Sequence, residues 1–379
     1  MHVVLVTTSY PESSSGSEAA GGFVADFAHQ LAEHAKVTVV AATAGPASVR
    51  TEGSLSVHRF SVKRWPLSLL RPHHPADWPS ILATLRDGMR TVADVASADR
   101  PDYILALWAL PSGYWAKAML KRFGVPYGVW ALGSDIWSLG RIPVLRSYLR
   151  KVLREADRCF ADGFELAEQV TKLSGAACDF LPSARLLPSS SGRELSEVPP
   201  WRLAFLGRWH PNKGVDIFLE SLRRLTAEDW KRVAEVRVYG GGPLDEEVRR
   251  QVAELQALGY PVNVGGYLDA DCAADLINWT DYLALPSRIE SIPVIFSDAA
   301  QLGRPLVATP VGDLPRLFDK QKFGILAGGA NVVAYTRALQ DALRSNPAQF
   351  QPGLSVLAGE FDITQVAARF MEDLYARHQ

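Results

Sequence analysis

Cysteine is scarce in this sequence: three residues, Cys159, Cys178 and Cys272, occur in 379. None of them belongs to a Cys-x-x-Cys pair, and an odd number spread this widely matches neither a disulfide framework nor a zinc-binding motif. We therefore expect a reducing compartment and no metal site built on cysteine.

Long apolar runs and an excess of basic charge are missing too. The longest apolar run, residues 103–110, has eight residues, whereas about 20 are needed to span a bilayer. The first residues lack the basic segment of a signal peptide and match a strand. Lys and Arg total 40 and Asp and Glu 41, so the basic excess that is usual in nucleic-acid binders is absent. We expect a cytoplasmic protein with no nucleic-acid partner.

Short apolar runs alternate with helical patterns along most of the chain, and this alternation predicts parallel α/β units. It stops in residues 181–200, which are rich in proline, serine and glycine, and resumes at Arg202. The length fits two domains. The sequence therefore predicts two doubly wound α/β domains, 1–185 and 201–359, joined by a linker over 186–200, with ligands at the carboxyl ends of the strands.

A glycine and two cations follow the first predicted strand of the second domain. Gly207 turns the chain, and Arg208 and Lys213 come after it within the segment 207–214. Arginine offers a fork of donors to phosphate oxygens and lysine adds a point charge, so this arrangement suits a bound diphosphate. On spacing alone, a solvated basic loop explains the same residues equally well.

Two carboxylates flank the start of a predicted helix further along the chain. Glu290 and Asp298 stand on either side of Pro293, which is suited to the first helical turn. The free backbone amides of Val294 and Ile295 would then face a bound anion. Asp298 could accept hydrogen bonds from ribose hydroxyls and Glu290 could face a sugar. Alternatively, Glu290 could do no more than cap the helix.

Taken together and in this order, these segments resemble the C-terminal domain of the retaining glycosyltransferases of family 4, which have the GT-B fold. Residues 207–214 match the family's G-R-x-x-x-x-K-G pattern, and Glu290 with Asp298 matches its paired acidic E-x7-E pattern. The resemblance extends over nearly the whole chain. Further matching segments are residues 21–23, 133–135, 240–243, 307–315 and the tail 361–375, which resembles the family's last helix.

The resemblance implies two Rossmann-like domains that face a cleft, with residues 360–379 crossing back to the N-terminal, acceptor-binding domain. It implies the transfer of a sugar, with retention of configuration, from a nucleotide-diphosphate-sugar to the hydroxyl of a sugar, a lipid or another small acceptor. We expect no metal and no cofactor, because cations and a helix N-terminus can meet the charge of the leaving diphosphate. The pathway implied is glycolipid, polysaccharide or other glycoconjugate biosynthesis.

The resemblance also implies roles for individual residues. Arg208 and Lys213 would neutralise the diphosphate and Glu290 would hydrogen-bond the donor sugar, so these three are the predicted catalytic residues. Asp298 would hold the ribose, and Asp135 is predicted on the acceptor side. The implied donor-binding residues are Gly21, Gly22, Gly207, Gly266, Tyr267, Leu268, Val294, Ile295 and Asp298.

Two positions depart from the family pattern. Asp298 stands where the family usually has Glu, so its carboxylate is one methylene shorter. Leu132 stands where many members have a His near the donor sugar. That contact is then absent or supplied by another group. Trp130, two residues before Leu132, and His210, within the segment 207–214, are nearby in sequence to these motifs. The diphosphate-binding pair is intact, so neither departure implies an inactive enzyme.

Two basic segments bear on the acceptor. Residues 59–74 hold four cations and no acid, and residues 141–158 hold six cations against two acids. Apolar residues stand between the cations, which suits the surface of an anionic membrane or a lipid phosphate. Solvated faces explain them as well. Peripheral contact with the inner membrane surface is therefore an open alternative to a purely cytoplasmic protein.

Other functions remain open at this point. A nucleotide-sugar epimerase on the same fold would need protein side chains placed to act on the sugar as acid and base, and the paired acidic motif argues against it. A non-catalytic sugar-nucleotide-binding protein has support only from Leu132. A dehydrogenase is disfavoured, because residues 7–11 lack the G-x-G-x-x-G turn. Asp269 and Asp271 have the spacing of a metal-binding D-x-D motif, yet their place at a helix start favours capping.

Overall fold

A computed structural model describes residues 1–12, 21–65, 67, 70–187 and 193–378. Residues 188–192 of the predicted linker and Leu69 of the first basic segment lie outside this part of the chain. The described residues form two compact units, each built around one sheet. The first contains residues 1–12, 21–182 and 366–378, and the second contains residues 183–365.

The first strand of the chain lies in the interior of the sheet of the first unit. β1 (His2–Thr7) lies between β2 (Lys36–Thr43) and β5 (Tyr103–Leu107), and both neighbours are parallel to it. Most positions of these strands are apolar and buried, as expected for a parallel sheet covered on both faces. The other strands are β3 (Ser48–Glu52), β4 (Leu55–Ser61), β6 (Tyr127–Ala131), β7 (Arg158–Ala161) and β8 (Cys178–Phe180).

The strand order is β3-β4-β2-β1-β5-β6-β7-β8, with β3 antiparallel to β4. Helices connect most of the parallel strands, whereas β2 and β4 are connected through β3, and the first unit is doubly wound. The helices of the first unit are α1 (Gly22–Ala32), α2 (Trp78–Ala98), α3 (Ser112–Phe123), α4 (Ser134–Trp137), α5 (Pro143–Glu155) and α6 (Phe164–Ser174).

The second unit repeats this plan with an all-parallel sheet in the order β11-β10-β9-β12-β13-β14. Its strands are β9 (Trp201–Arg208), β10 (Val233–Gly241), β11 (Val262–Gly265), β12 (Tyr282–Leu285), β13 (Leu306–Ala308) and β14 (Gly324–Leu326). Its helices are α7 (Val215–Arg223), α8 (Ala227–Trp230), α9 (Asp245–Ala257), α10 (Ala270–Trp279), α11 (Val294–Gln301), α12 (Leu314–Lys320), α13 (Val332–Arg344) and α14 (Gln351–Glu360). The predicted fold class, two doubly wound α/β sheets, is confirmed.

The last helix, α15 (Ile363–His378), returns to the first unit from residue 366 onward. Phe370 makes edge-on ring contacts with Phe27 at 5.6 Å and with Tyr103 at 6.4 Å between centroids. Asp373 accepts a hydrogen bond from Arg158 at 2.8 Å. The predicted return of the C-terminal helix is therefore confirmed, and buried aromatic contacts hold it there.

Some short elements have no counterpart in the sequence-based prediction. β3 is exposed at every position, and β8 and β14 are three-residue strands that are at most half buried. Each lies at an edge of its sheet. Edge strands bury little surface, so their sequences need not show the apolar run by which a central strand is recognised. Over the described residues, no helix has the length and apolar character that crossing a membrane requires.

Candidate active site

The predicted site segments meet at the carboxyl edge of the second sheet. β9 pairs with both β10 and β12, so the strand order reverses between β9 and β12. Loops that leave two such strands turn toward opposite faces of the sheet, and open α/β sheets bind ligands at this point. Arg208 ends β9, and Glu290 follows β12.

An ion pair joins these two segments. Lys213 Nζ donates to Glu290 Oε1, and Ser287 Oγ donates to the same oxygen at 3.0 Å. The Glu290 side chain is 12% exposed and the Lys213 side chain 38%, so solvent reaches the ammonium more easily than the carboxylate. The alternative in which Glu290 caps the helix does not match the structure, because Pro293 is the N-cap residue of α11.

Arg208 is exposed at the end of β9, and its guanidinium has no partner among the described residues. The backbone around it is fixed, since buried Trp209 donates its N–H to Gly241 O at 2.8 Å. His210 Nδ1 accepts from the N–H of Asn212 at 3.2 Å and so serves the local turn. An arginine held in place through its backbone leaves its fork of donors open to a phosphate.

A cation that the sequence analysis did not single out ties the two loops together. The Arg288 guanidinium donates to both carboxylate oxygens of Asp216, at 2.8 and 2.6 Å, and to Pro211 O at 2.6 Å. Its backbone N–H donates to Asn212 O at 2.7 Å. Such a bidentate pair fixes geometry as well as charge. It holds the loop after β9 beside the loop after β12.

Close packing of the loops at this edge of the sheet requires glycine at two positions, one after β9 and one after β13. Gly214 has a φ of +68°, and a Cβ atom there would lie 1.9 Å from Pro286 O. Gly312 has a φ of +53°, and a Cβ atom there would lie 2.2 Å from Ser291 O. A side chain would therefore bring both backbone strain and overlap with a carbonyl oxygen.

We expect Gly214→Ala to lower the melting temperature by about 6–12 °C, since strain and overlap together cost about 3 kcal/mol. Gly259→Ala is the matched control, because Gly259 has a φ of +82° and, among the described residues, no atom beyond its chain neighbours lies within 4 Å of its Cβ position. Only the strain of about 1 kcal/mol applies there, which corresponds to about 2–4 °C. Thermal melts followed by circular dichroism check this, and equal shifts for the two variants would contradict the packing argument.

The amino end of α11 provides the backbone amides that were predicted to meet an anion. The first hydrogen bond of this turn runs from Phe296 N to Pro293 O at 2.9 Å. The amides of Val294 and Ile295 precede it and, as at any helix start, have no acceptor within the helix. The helix dipole adds a partial positive charge at this end. The contact of these two amides with a phosphate stays a prediction.

Asp298 lies further along α11, with a buried side chain. Its Oδ2 atom is 3.9 Å from Nη1 of Arg185, a residue that the sequence analysis did not single out. The two residues are far apart in the chain, and no motif connects them. The ribose contact predicted for Asp298 stays a prediction.

The residues predicted to line the nucleotide base lie just beyond β11, next to the end of β10. Gly266 O accepts from Gly240 N at 3.1 Å, and Tyr267 Oη donates to Gly241 O at 2.8 Å. The Tyr267 ring is half exposed, and Leu268 is half buried. These hydrogen bonds fix the segment beside the candidate diphosphate site, and the contact with a base stays a prediction.

In the first unit, the predicted residues lie at the carboxyl edge of its own sheet. Gly21 is the N-cap residue of α1, and a Cβ atom there would lie 3.0 Å from Tyr10 Cα. Gly22 begins the helix. The close approach of Gly21 to the preceding loop gives a structural reason for glycine at this position, whereas the predicted donor contact remains untested.

Asp135 is buried between two loops of the first unit. Its carboxylate accepts from the N–H of Ala109 at 2.6 Å, after β5, and from the N–H of Leu132 at 3.3 Å, after β6. Burial raises the pKa of Asp135, against the opposing effect of these amides. The residue thus ties two strand ends together, and its predicted acceptor-side role stays a prediction.

Asp269 caps α10, as the sequence suggested, since its carboxylate accepts from Cys272 N at 2.8 Å. In the part of the chain that the structure describes, no three His, Cys, Asp or Glu side chains are grouped in a way that could hold a metal ion.

Comparisons with known proteins agree with this fold. A sucrose-phosphate synthase from Thermosynechococcus elongatus superimposes with a TM-score of 0.75 over 99% of this chain and 98% of its own, at 17% identity. The chain therefore has the GT-B fold, two doubly wound α/β sheets. Residues 200–345 of this chain match the family model of the glycosyl transferases group 1.

Curated relatives carry related names. A D-inositol 3-phosphate glycosyltransferase of Saccharomonospora viridis is 27% identical over 85% of this chain and 81% of its own length. A GDP-mannose-dependent alpha-(1-6)-phosphatidylinositol monomannoside mannosyltransferase of Mycolicibacterium smegmatis is 26% identical over 55% of this chain and 58% of its own. The chain spans 42% and 34% of the length of two other D-inositol 3-phosphate glycosyltransferases that it matches.

Proposed function

We propose that the chain transfers a sugar from a nucleotide-diphosphate-sugar to an acceptor hydroxyl. The observation that carries this proposal is the contact of Lys213 with Glu290, together with the exposed Arg208 in the same segment as Lys213. Two cations for a diphosphate and one carboxylate for sugar hydroxyls meet where a doubly wound sheet binds ligands. The relative from M. smegmatis, whose name specifies GDP-mannose, supports a nucleotide sugar as the donor.

The leaving diphosphate dictates the chemistry that we assign to these residues. As the bond from the anomeric carbon to the phosphate oxygen breaks, negative charge grows on the diphosphate. Arg208, Lys213 and the amino end of α11 are donors fixed before the reaction, and such preorganised donors stabilise that charge without a metal. The acceptor hydroxyl forms the new bond on the same face and gives its proton to the departing phosphate, so configuration is retained.

Release of free nucleoside diphosphate tests the proposal. We would offer UDP-, GDP- and ADP-linked sugars with a panel of sugar and lipid-phosphate acceptors, and measure the diphosphate and the glycosylated product together. Turnover of one donor with formation of a glycoside is the expected result. An epimerised nucleotide sugar without free diphosphate would indicate an isomerase. Binding of a donor without any turnover across the panel would favour a non-catalytic binding protein.

Contact with an anionic membrane is a further part of the proposal, and α5 supports it better than residues 59–74 do. In the earlier segment, Arg59 donates to Tyr10 O and Pro11 O, and Arg64 pairs with Asp77. On α5, Leu149, Val152 and Leu153 face the core. The exposed residues on and just before this helix include Val144, at 78% exposure, and the cations Arg141, Arg146, Lys151 and Arg154.

We expect the triple change of Arg141, Arg146 and Lys151 to Ala to weaken binding to vesicles containing phosphatidylglycerol. Each cation near an anionic surface contributes about 1 kcal/mol to membrane binding, so the affinity for the vesicles should fall about 100-fold. Arg224, Lys231 and Arg250, exposed in the second unit, supply the matched triple control. Co-sedimentation measures the binding. If the wild-type chain does not sediment with these vesicles, or both triple variants bind like it, the membrane proposal is wrong.

A further inference from the structure

Arg185 lies against the helix that carries Asp298. Its Nη1 atom is 3.9 Å from Asp298 Oδ2, and its backbone oxygen accepts from Nε2 of Gln301 at 3.3 Å. Gln301 ends α11 and also donates to Phe361 O at 3.3 Å. Side-chain and main-chain contacts therefore hold Arg185 along α11.

The carboxylate of an aspartate such as Asp298 is one methylene closer to the backbone than that of a glutamate. A shorter side chain reaches less far and needs another group to fix where its oxygens point. The Asp298 side chain is 5% exposed and that of Arg185 23%. A carboxylate this deeply buried is costly to keep charged unless a cation lies near it, and Arg185 supplies that cation.

We propose that Arg185 is a positioning residue that orients the Asp298 carboxylate to accept hydrogen bonds from the ribose hydroxyls of the donor. The proposal rests on the proposed function, since it assumes that a nucleotide binds here. The separation of 3.9 Å is longer than the roughly 2.8 Å of a tight charge-assisted hydrogen bond, so the two groups have room to close. Arg185 Nε is buried and has no hydrogen-bond partner among the described residues, so part of the guanidinium is not committed to another group.

Discrimination between ribose and deoxyribose tests this role directly. We would measure, by titration calorimetry, the affinity for UDP, GDP and ADP and for their 2′-deoxy and 3′-deoxy analogues. The chains compared are the wild type, Asp298→Ala, Arg185→Ala, Arg185→Lys and the exposed control Arg250→Ala. The wild type and the control should bind the preferred ribonucleotide roughly 10- to 100-fold more tightly than one of its deoxy analogues, the worth of a hydrogen bond to a charged group.

Asp298→Ala should abolish that preference, and Arg185→Ala should reduce it to about threefold or less, with part of it regained in Arg185→Lys. A merely structural role of Arg185 would change the affinity for both sugars alike and leave their ratio intact. If Asp298→Ala loses the preference and Arg185→Ala keeps it, Arg185 does not position Asp298, and the proposed function stands. No preference in the wild type also overturns the role. Failure of the wild type to bind any of the three diphosphates contradicts the proposed function itself.

Discussion

Lys213→Ala is expected to lower the rate of sugar transfer by about 10²- to 10³-fold. Removing one preorganised donor that meets developing negative charge typically costs that much. Lys213 is the cation that contacts Glu290 across the strand-order reversal. Initial rates of diphosphate release, measured with the donor that turns over, check the prediction.

Lys231→Ala is the matched control for Lys213→Ala. Lys231 pairs with Glu228 in an exposed ion pair next to α8, where both side chains are mostly solvated. Its loss should leave the rate within about twofold, since exposed pairs of this kind contribute little. A Lys213→Ala chain as active as the control would show that the diphosphate is not neutralised by Lys213.

Glu290→Ala is expected to lower transfer by about 10- to 100-fold without weakening the binding of free nucleoside diphosphate. The carboxylate is predicted to hold hydroxyls of the donor sugar, and hydrogen bonds to charged groups have this magnitude. The free diphosphate has no sugar. It also competes with Glu290 for the Lys213 ammonium, so removing the carboxylate should leave its affinity equal or somewhat higher.

Two measurements separate these effects: initial rates with the whole donor and titration calorimetry with the diphosphate alone. Glu228→Ala, at a carboxylate that is 79% exposed, serves as the control for the loss of one negative charge. If Glu290→Ala lowers the affinity for the diphosphate in parallel with the rate, Glu290 stabilises the loop that binds the diphosphate and does not act through hydrogen bonds to the donor sugar.

Apart from the edge strands β3, β8 and β14, the alternation of strands and helices could be predicted from the sequence, and so could the place of the loops after β9 and β12 at the carboxyl ends of the strands. Central parallel strands must be apolar on both faces, so segments such as β1 and β5 stand out. The return of α15 was anticipated only through the family resemblance, and Phe370 among the aromatic rings of the first unit shows its physical basis.

The contacts that hold the site in place could not be predicted. Arg288 pairs with Asp216, which is 72 residues away in the chain. Arg185 lies near Asp298, although the linker and the strands β9 to β12 separate them in the sequence. Neither pair has a local pattern, because an arginine on a loop and an acid within a helix, in the first turn for Asp216 and further along for Asp298, each have ordinary explanations. Asp135 is a further contact without a local pattern, since its carboxylate accepts hydrogen bonds from two backbone amides, and its acceptor-side role stays a prediction.

A crystal structure with the nucleoside diphosphate of the active donor tests the central claim most directly. The account predicts the diphosphate at the carboxyl edge of the second sheet, within about 3 Å of Arg208, Lys213 and the amides of Val294 and Ile295. Lys213 would then have exchanged part of its contact with Glu290 for a phosphate oxygen. A nucleotide bound away from β9 and β12, with the Lys213–Glu290 pair undisturbed, would contradict the account.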